Sequence, residues 1–316
     1  MNKLAFAVSA VLVLAACGKQ SEPAPAPTPA KPVADQPAAP PPPASASDAF
    51  GAKLDTALAG NWRSDANKAR DKYRHPRETL TFFGLQPSWT VIEITPGGGW
   101  YTELLAPAYR GQGKLVAAIA EPATAPGEGE KKYLSKGNDD YRAKLAADAE
   151  HYGEVELREF SLTAPKLGEP ASADAVVTFR NVHNFVMWND EKAMFKAFFD
   201  VLKPGGVLGI VDHRAAPDAD LDKIKESGYL PEDYVIKLAT DAGFVLDGRS
   251  QVNANPSDTK DYEKGVWTLP PTLALGDKNK DKYLATGESD RMTLKFVKPK
   301  ADQVFKAADD GAAKPR

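Results

Sequence analysis

The sequence predicts an α/β protein built on a doubly wound, mostly parallel sheet of seven strands. Short apolar runs rich in branched residues recur along the chain, and each has the length of a buried parallel strand. Helical segments alternate with these runs, which is the order that gives a parallel sheet covered on both faces. The stretch 91–105, VIEITPGGGWYTELL, shows the unit most clearly, because an apolar run passes through a glycine-rich turn into a helix. The seven predicted strands are 91–94, 113–119, 155–160, 174–179, 207–212, 244–249 and 292–297.

Helices are predicted between these runs. Pro76 suits the first turn of one helix, and it ends the helical pattern before it, because a residue that precedes proline avoids the helical region. Asn189 is placed to cap a helix that runs to Val201. The segment 251–291 has no clear period and is predicted to be a long loop. The other predicted helices cover 48–59, 64–73, 131–150 and 231–242, and one begins at Trp100.

The first 17 residues, MNKLAFAVSAVLVLAAC, have the features of a secretion signal. Lys3 gives a positive start, and the apolar run 4–14 is too short to span a bilayer as a helix. The end of this segment, LAAC, matches the bacterial lipobox, so the start of the chain resembles a lipoprotein signal. The resemblance implies acylation of Cys17 and a lipid anchor in the cell envelope, at the outer membrane facing the periplasm. An ordinary secretory signal is the alternative.

The rest of the chain is predicted to hold one globular domain. Residues 18–47 form a linker rich in proline and alanine, and they contain ten of the chain's 26 prolines. Residues 48–300 have globular composition and suit a single α/β domain, whereas residues 301–316 are a polar tail. The net charge of −3 gives no basic excess for nucleic acid, and a single cysteine excludes a disulfide within the chain.

The carboxyl ends of the predicted strands collect the candidate functional residues, because ligands bind there in open α/β sheets. Glycines 97, 98 and 99 let a ligand approach the backbone closely, and the helix start supplies N–H groups. A nucleotide-type cofactor is therefore expected beside Glu93, Thr95 and the glycine turn (Gly97, Gly98 and Gly99). Arg180 and Asn181 follow a later strand and are expected at the same edge.

Two histidines also follow strand ends. His183 and His213 are the candidate catalytic bases, since histidine titrates in the range that proton transfer needs. Asp212 is placed to orient an imidazole or to accept a hydrogen bond from substrate. The alternative is that His183 caps a helix and His213 is a surface loop residue. A metal site from these three residues is also conceivable, but their spacing matches no common metal motif, and no metal is predicted.

Several motifs occur in a characteristic order. They are RxxYRHP at 70–76, ExxPGGGWYT at 93–102, DAVVTF at 174–179, FRNxHN at 179–184, LKPGG at 202–206, and the late segments AGFVLDG and DRMTLKFVKP. With these motifs, residues 70–298 resemble a class I S-adenosylmethionine-dependent methyltransferase domain, and more narrowly a bacterial group of predicted methyltransferases. The resemblance implies a sheet of the methyltransferase, Rossmann-like type, in which the final strand is antiparallel. It also implies S-adenosylmethionine as the cofactor.

The resemblance assigns roles to further residues. In the family, helices before the first strand cover the cofactor and form part of the substrate pocket, which is the position of Tyr73, Arg74 and His75. An acid that binds both ribose hydroxyls usually ends the second strand. Here that position holds Ile119, and Glu121, two residues later, is the cofactor-binding candidate that a register shift or a bulge would bring into this role. Thr95 likewise stands where the family has its first glycine.

The expected function is methyl transfer to a small molecule or to an envelope component. The alternative is a non-catalytic or repurposed ligand-binding lipoprotein on the same fold, since a fold does not determine a function. S-adenosylmethionine is made in the cytoplasm, so a localisation facing the periplasm favours the ligand-binding alternative. A nicotinamide oxidoreductase is the least favoured, because its glycine spacing would place Thr102 at the last glycine.

Overall fold

The computed structural model describes residues 46–300, which contain a seven-stranded sheet with helices on both faces. The order of the strands across the sheet is β3-β2-β1-β4-β5-β7-β6. The chain therefore starts in the middle of the sheet and builds outward in both directions, as the prediction of a doubly wound fold requires. The strands are β1 Thr90–Ile94, β2 Lys114–Ala120, β3 Glu156–Phe160, β4 Ala173–Phe179, β5 Leu202–His213, β6 Val245–Ser250 and β7 Arg291–Val297.

The last strand runs against the others. β7 pairs antiparallel with β5, from Val207 opposite Val297 to His213 opposite Arg291, and also antiparallel with β6. The four pairs on the other side of β5 are all parallel. The fold class expected from the sequence, including the antiparallel last strand of the methyltransferase-type sheet, is confirmed.

Both faces of the central strands are buried. Because successive side chains of a strand point to opposite faces, Ile92 packs into one hydrophobic core and Val91 into the other. Phe185 and Phe195 cover the first face, and Leu104 covers the second. This two-sided burial explains why the strands appear in the sequence as continuous apolar runs rather than as alternating ones.

Twelve α-helices lie in the part of the chain that the structure describes. They are α1 Ala46–Ala59, α2 Asp65–Lys68, α3 Asp71–Arg74, α4 Pro76–Phe83, α5 Thr102–Tyr109, α6 Glu128–Ala147, α7 Ala149–Tyr152, α8 Val182–Trp188, α9 Glu191–Val201, α10 Leu221–Ile224, α11 Glu232–Asp241 and α12 Lys280–Thr286. Among residues 46–300, none of the helices combines the length and the apolar character needed to cross a membrane.

Three local predictions were wrong. Asn189 does not cap α9; it adopts a left-handed conformation (φ 60°) that ends α8, a helix that the sequence analysis missed. The helix predicted over 64–73 is two short helices, α2 and α3. The predicted loop 251–291 contains α12 and a 3₁₀ turn at Gly265–Thr268. In each case tertiary packing decides a segment that has little local pattern.

The predictions for the two ends of the chain stay predictions. The signal segment 1–17 with Cys17, most of the linker 18–47, and the tail 301–316 lie outside the described residues.

Candidate functional site

The glycine turn after β1 has a backbone that few other residues can adopt. Thr95, Gly97 and Gly99 all have positive φ angles, of 44°, 57° and 71°. A side chain on Gly97 or Gly98 would meet no atom within 4 Å, so the turn is open on this side. At Gly99 a Cβ would lie 2.9 Å from the ring of Tyr141 in α6. The first two glycines therefore leave room for a ligand, whereas the third lets the turn pack against a helix.

Two polar groups near the end of β1 are buried: the carboxyl group of Glu93 and the hydroxyl of Thr95. The hydroxyl of Thr102 donates a hydrogen bond to Glu93 over 2.7 Å, and burial raises the pKa of Glu93 to about 7. The hydroxyl of Thr95 is buried without a hydrogen-bond partner among the described residues. Both residues line the cavity described next, so an acid that titrates near neutrality and an unpaired hydroxyl face the same space.

A cavity of about 270 Å³ opens at the carboxyl ends of β1 and β4. Its floor is the turn from Thr95 to Gly98, and the start of α5 forms one side. Arg70 and Arg74 enter from the helices before β1, while Arg180 and Asn181 enter from the end of β4. The cavity lies where the topology of an open α/β sheet places a ligand, and its charged side chains are three arginines and one glutamate.

Stacked aromatic rings make one wall of the cavity rigid. The rings of Tyr101 and Phe179 are parallel to within 11°, with centroids 3.5 Å apart. Trp100 meets Tyr101 edge-on at 4.7 Å, and its indole N–H donates to the carbonyl of Asn67 over 3.0 Å. The guanidinium of Arg74 lies 4.6 Å from the centre of the Trp100 ring. These contacts fix the aromatic wall and the direction of Arg74 together.

The space between the glycine turn and α6 is much smaller, about 30 Å³. Ile119 lines it from β2, and Asn138 and Tyr141 line it from α6. Glu121 lines neither this space nor the larger cavity; its backbone N–H donates to the carbonyl of Phe160 over 2.8 Å. In this structure the acid that follows β2 does not reach the ligand space.

The three predicted catalytic residues form one buried cluster behind the cavity. Asp212 accepts hydrogen bonds from the His183 ring at Nδ1 (2.8 Å), from the His183 backbone N–H (3.2 Å) and from the His213 backbone N–H (2.7 Å). The Asp212 carboxylate thus holds the first turn of α8, where unpaired N–H groups favour a negative charge. None of the three residues lines the cavity, and Arg180 lies between them and the ligand space.

The same cluster brings possible metal ligands close together. His183, Asp212 and His213 offer ligand atoms within 4.8 Å of one another. However, Nδ1 of His183 is bonded to Asp212, and both ring nitrogens of His213 have partners, namely Arg180 and the hydroxyl of Ser289. A metal ion bound to His213 would have to displace one of its two hydrogen bonds and lie beside the positive charge of Arg180.

The remaining predicted residues separate into two groups. Glu93, Thr95, Gly97, Gly98, Arg180, Asn181 and Arg74 come together at the cavity. Tyr73 and His75 instead line a different space of about 190 Å³, between α3 and the segment 253–255. Tyr73 and His75 are sequence neighbours of Arg74, but α3 is a single turn that ends at His75 in a left-handed conformation (φ 39°). Arg74 therefore points to a different side from Tyr73 and His75.

Sequence reasoning missed Arg70 and Glu288. Arg70 precedes Arg74 by four residues, and this spacing places two side chains on one face of a helix, so the motif RxxYRHP contained the signal. Glu288 lies in the segment predicted to be a loop, more than 200 residues from Arg70 and Arg74, which donate hydrogen bonds to it. Only the folded chain reveals that contact.

Comparisons with known proteins assign no activity to this chain. No family model matches this chain, and no curated protein matches it. Among solved structures, it is similar to an S-adenosylmethionine-dependent methyltransferase from Aquifex aeolicus, with 16% identity, TM-score 0.47, and coverage of 78% of this chain and 98% of that one. It is also similar to one from Mesorhizobium loti, with 12% identity, TM-score 0.42, and coverage of 76% and 99%.

A third similar structure is an arsenic(III) S-adenosylmethionine methyltransferase from Chlamydomonas reinhardtii, with 14% identity and TM-score 0.45. The match covers 83% of this chain and 75% of that one. All three TM-scores are below 0.5, so the likeness assigns neither an activity nor a substrate to this chain.

Proposed function

We propose that this chain is an S-adenosylmethionine-dependent methyltransferase that acts on a small molecule or an envelope component. The observation that carries the proposal is the junction of the cavity with the glycine turn. There the buried hydroxyl of Thr95 lacks a partner, and Gly97 and Gly98 leave the backbone open to a ligand. A buried polar group without a hydrogen bond costs free energy, which a bound ligand would recover.

The residues of the cavity fit this cofactor in chemical type. The turn from Thr95 to Gly98, with Glu93 beside it, would hold the amino-acid part, since Glu93 is an acceptor for an ammonium group. Leu134 of α6 and Phe185 of α8 also line the cavity and offer apolar surface to a purine base. Bound S-adenosylmethionine supplies a methyl group on a sulfonium for transfer to a nucleophile.

The protein's own part in such a reaction is alignment. In-line displacement depends mainly on holding the two reactants in position. The stack of Tyr101 on Phe179 provides a fixed wall, and the side-chain amide of Asn181 donates to the carbonyl of Ile94 (2.8 Å) and to the hydroxyl of Thr178 (3.2 Å). These contacts keep the floor and the wall of the cavity in one arrangement before a ligand enters.

A second candidate function is ligand binding without catalysis. It is favoured by one observation: the end of β2 offers the apolar side chain of Ile119, and Glu121 lines neither space. A ribose would then lack a charged acceptor worth about 1.5–3 kcal/mol. This candidate predicts that the cavity binds a ligand other than a nucleoside.

Calorimetric titration of the full chain separates these functions. The methyltransferase proposal predicts saturable binding of both S-adenosylmethionine and its demethylated product, S-adenosylhomocysteine. If neither ligand gives a binding heat at high micromolar concentration, the methyltransferase proposal is contradicted, and ligand binding without catalysis is the remaining candidate. His183→Ala should retain cofactor binding, because His183 lies outside the cavity.

We also propose that the chain is lipid-anchored in the envelope through Cys17. The support is the lipobox-like sequence LAAC and the proline-rich segment that follows it. Labelling cells with a fatty-acid analogue tests this directly: the protein should take up the label, and Cys17→Ser should not. Equal labelling of both proteins would disprove the anchor.

A further inference from the structure

Next to the cavity, at the start of β7, positive charge exceeds negative charge; Arg70, Arg74 and Arg180 line the cavity, whereas Arg291 and Glu288 do not. Four guanidinium groups, Arg70, Arg74, Arg180 and Arg291, form what is here named the arginine cluster. Its carboxylate is Glu288, which accepts from Arg70 at 2.6 Å, from Arg74 at 3.1 Å and from Arg291 at 3.1 Å. The surrounding guanidinium charges lower the pKa of Glu288 to about 2 despite its burial. One carboxylate among four guanidinium groups leaves an excess of positive charge.

Arg180 is the member of the cluster without an acidic partner. It forms no ion pair within residues 46–300, and its Nε donates to the neutral ring of His213 over 3.3 Å. Burial and the charge of Arg74 lower the pKa of Arg180 to about 9, so the side chain is still charged at neutral pH. Its guanidinium therefore faces the cavity with most of its donor capacity unused.

The backbone holds Arg180 in this position. Its φ angle is 63°, in the left-handed region that disfavours residues other than glycine. The strain persists because the Arg180 N–H donates to the carbonyl of Val211 over 2.7 Å, at the end of the β4–β5 pair. Strained residues of this kind occur most often where a side chain has a binding role.

The proposed cofactor does not supply the missing negative charge. S-adenosylmethionine carries a sulfonium, an ammonium and a carboxylate at neutral pH, so its binding adds one net positive charge. Glu93, with a pKa of about 7, offsets this only in part. Glu103, a buried acid near this wall, is already paired with Lys144 at 2.5 Å and with Arg63 at 3.5 Å. Asp212, the buried acid behind Arg180, accepts hydrogen bonds from the ring of His183 and from the backbone N–H of His213.

We infer that the methyl acceptor carries an anionic group, a carboxylate or a phosphate, and that Arg74 and Arg180 bind it. Arg74 is suited to this role because Glu288 and the Trp100 ring fix its guanidinium. Arginine forks bind both kinds of anion through paired N–H bonds. The inference rests on the proposed function, since it names the class of molecule that shares the cavity with S-adenosylmethionine.

The test is calorimetry of the full chain with two probes, inorganic phosphate and acetate, at constant ionic strength. One probe should bind, and the tighter one identifies the anionic group. Arg180→Gln should weaken that binding about 10- to 100-fold, and Arg180→Lys should weaken it less, because it keeps the charge but loses the fork. The control is Arg110→Gln, which removes an exposed arginine paired with Glu154 and should change nothing.

Repeating the titration with saturating S-adenosylhomocysteine distinguishes two sources of the anion. If the acceptor supplies it, the probe still binds when the cofactor product is present. Loss of probe binding under these conditions would show that the arginines hold the carboxylate of the cofactor, and would overturn the inference. If neither phosphate nor acetate binds, with or without S-adenosylhomocysteine, the inference of an anionic acceptor is overturned as well. The proposed methyltransferase function fails only if S-adenosylmethionine and S-adenosylhomocysteine do not bind.

Discussion

The Nε–H group of Arg180 donates a hydrogen bond to Nε2 of His213 over 3.3 Å. A guanidinium has only donors, so Nε2 of His213 must accept, and the proton of the neutral ring is on Nδ1, facing the hydroxyl of Ser289. The lone pair of the ring is therefore occupied. In this arrangement His213 acts on the cavity by positioning Arg180 rather than by taking a proton from a ligand.

The first prediction concerns the protonation of His213. Burial, and then the charges of His183 and Arg180, hold the pKa of His213 well below its usual 6.5. A pH titration of the ring ¹⁵N shifts should show a neutral ring protonated on Nδ1 throughout the range above 6.5. Arg180→Gln should raise the pKa, because it removes a neighbouring positive charge. A wild-type ring that titrates at or above 6.5, or that is protonated on Nε2, would contradict the arrangement.

The second prediction concerns Glu93. Burial raises its pKa from 4.5 to about 7, so the folded protein holds this proton more tightly than the unfolded chain does. Between these two values the free energy of unfolding should fall as the pH rises, and the contribution of Glu93 is about 3 kcal/mol. Glu93→Gln lacks the titrating group and should become more stable than the wild type as the pH approaches 8.

Urea unfolding of both proteins at several pH values measures this difference. The exposed Glu263, paired with Lys278, provides the control, since Glu263→Gln should give no comparable difference. A stability difference between Glu93→Gln and the wild type that stays constant from pH 5 to 8 would show that Glu93 does not titrate there.

The third prediction concerns Glu288, the buried acid of the arginine cluster. Glu288→Gln leaves Arg70, Arg74 and Arg291 without their shared carboxylate, and unpaired buried charges typically cost about 3–5 kcal/mol. Inorganic phosphate should restore part of this loss, because an anion in the cavity replaces the missing charge. The measurement is urea unfolding with and without phosphate at constant ionic strength. Glu128→Gln, which changes an exposed acid paired with Lys131, should cost far less. An equally small loss in Glu288→Gln would mean that the cluster does not depend on its carboxylate.

The sequence was sufficient for the sheet and for half of the site. The central strands are short branched apolar runs, and the glycine turn after β1 has a distinct local pattern, which predicts that Thr95, Gly97 and Gly98 lie at the carboxyl end of β1, where the structure has the cavity. Local pattern fails where burial depends on distant partners. Glu288 sits in a segment without periodicity, and its burial follows from contacts with Arg70 and Arg74 that span more than 200 residues.

The second limit of prediction from sequence was the direction of each side chain. His183 and His213 follow strand ends, as predicted, yet a strand end can present a side chain to either face. Asp212 accepts hydrogen bonds from both histidines and holds them outside the cavity, so that Arg180 is the residue that faces the ligand space. The sequence gives the position of each residue along the chain but not which of these neighbours faces the ligand.

The most direct test of the central proposal compares two glycine variants. Gly97 (φ 57°) and Gly276 (φ 59°) have nearly the same φ angle, and a Cβ at either would meet no atom within 4 Å. Gly97→Asp and Gly276→Asp therefore carry similar backbone strain, but only Gly97 lines the cavity. We predict that calorimetry with S-adenosylmethionine shows binding by the wild type and by Gly276→Asp, and none by Gly97→Asp. Equal binding by the two variants, or no binding by the wild type, would contradict a cofactor site at the glycine turn.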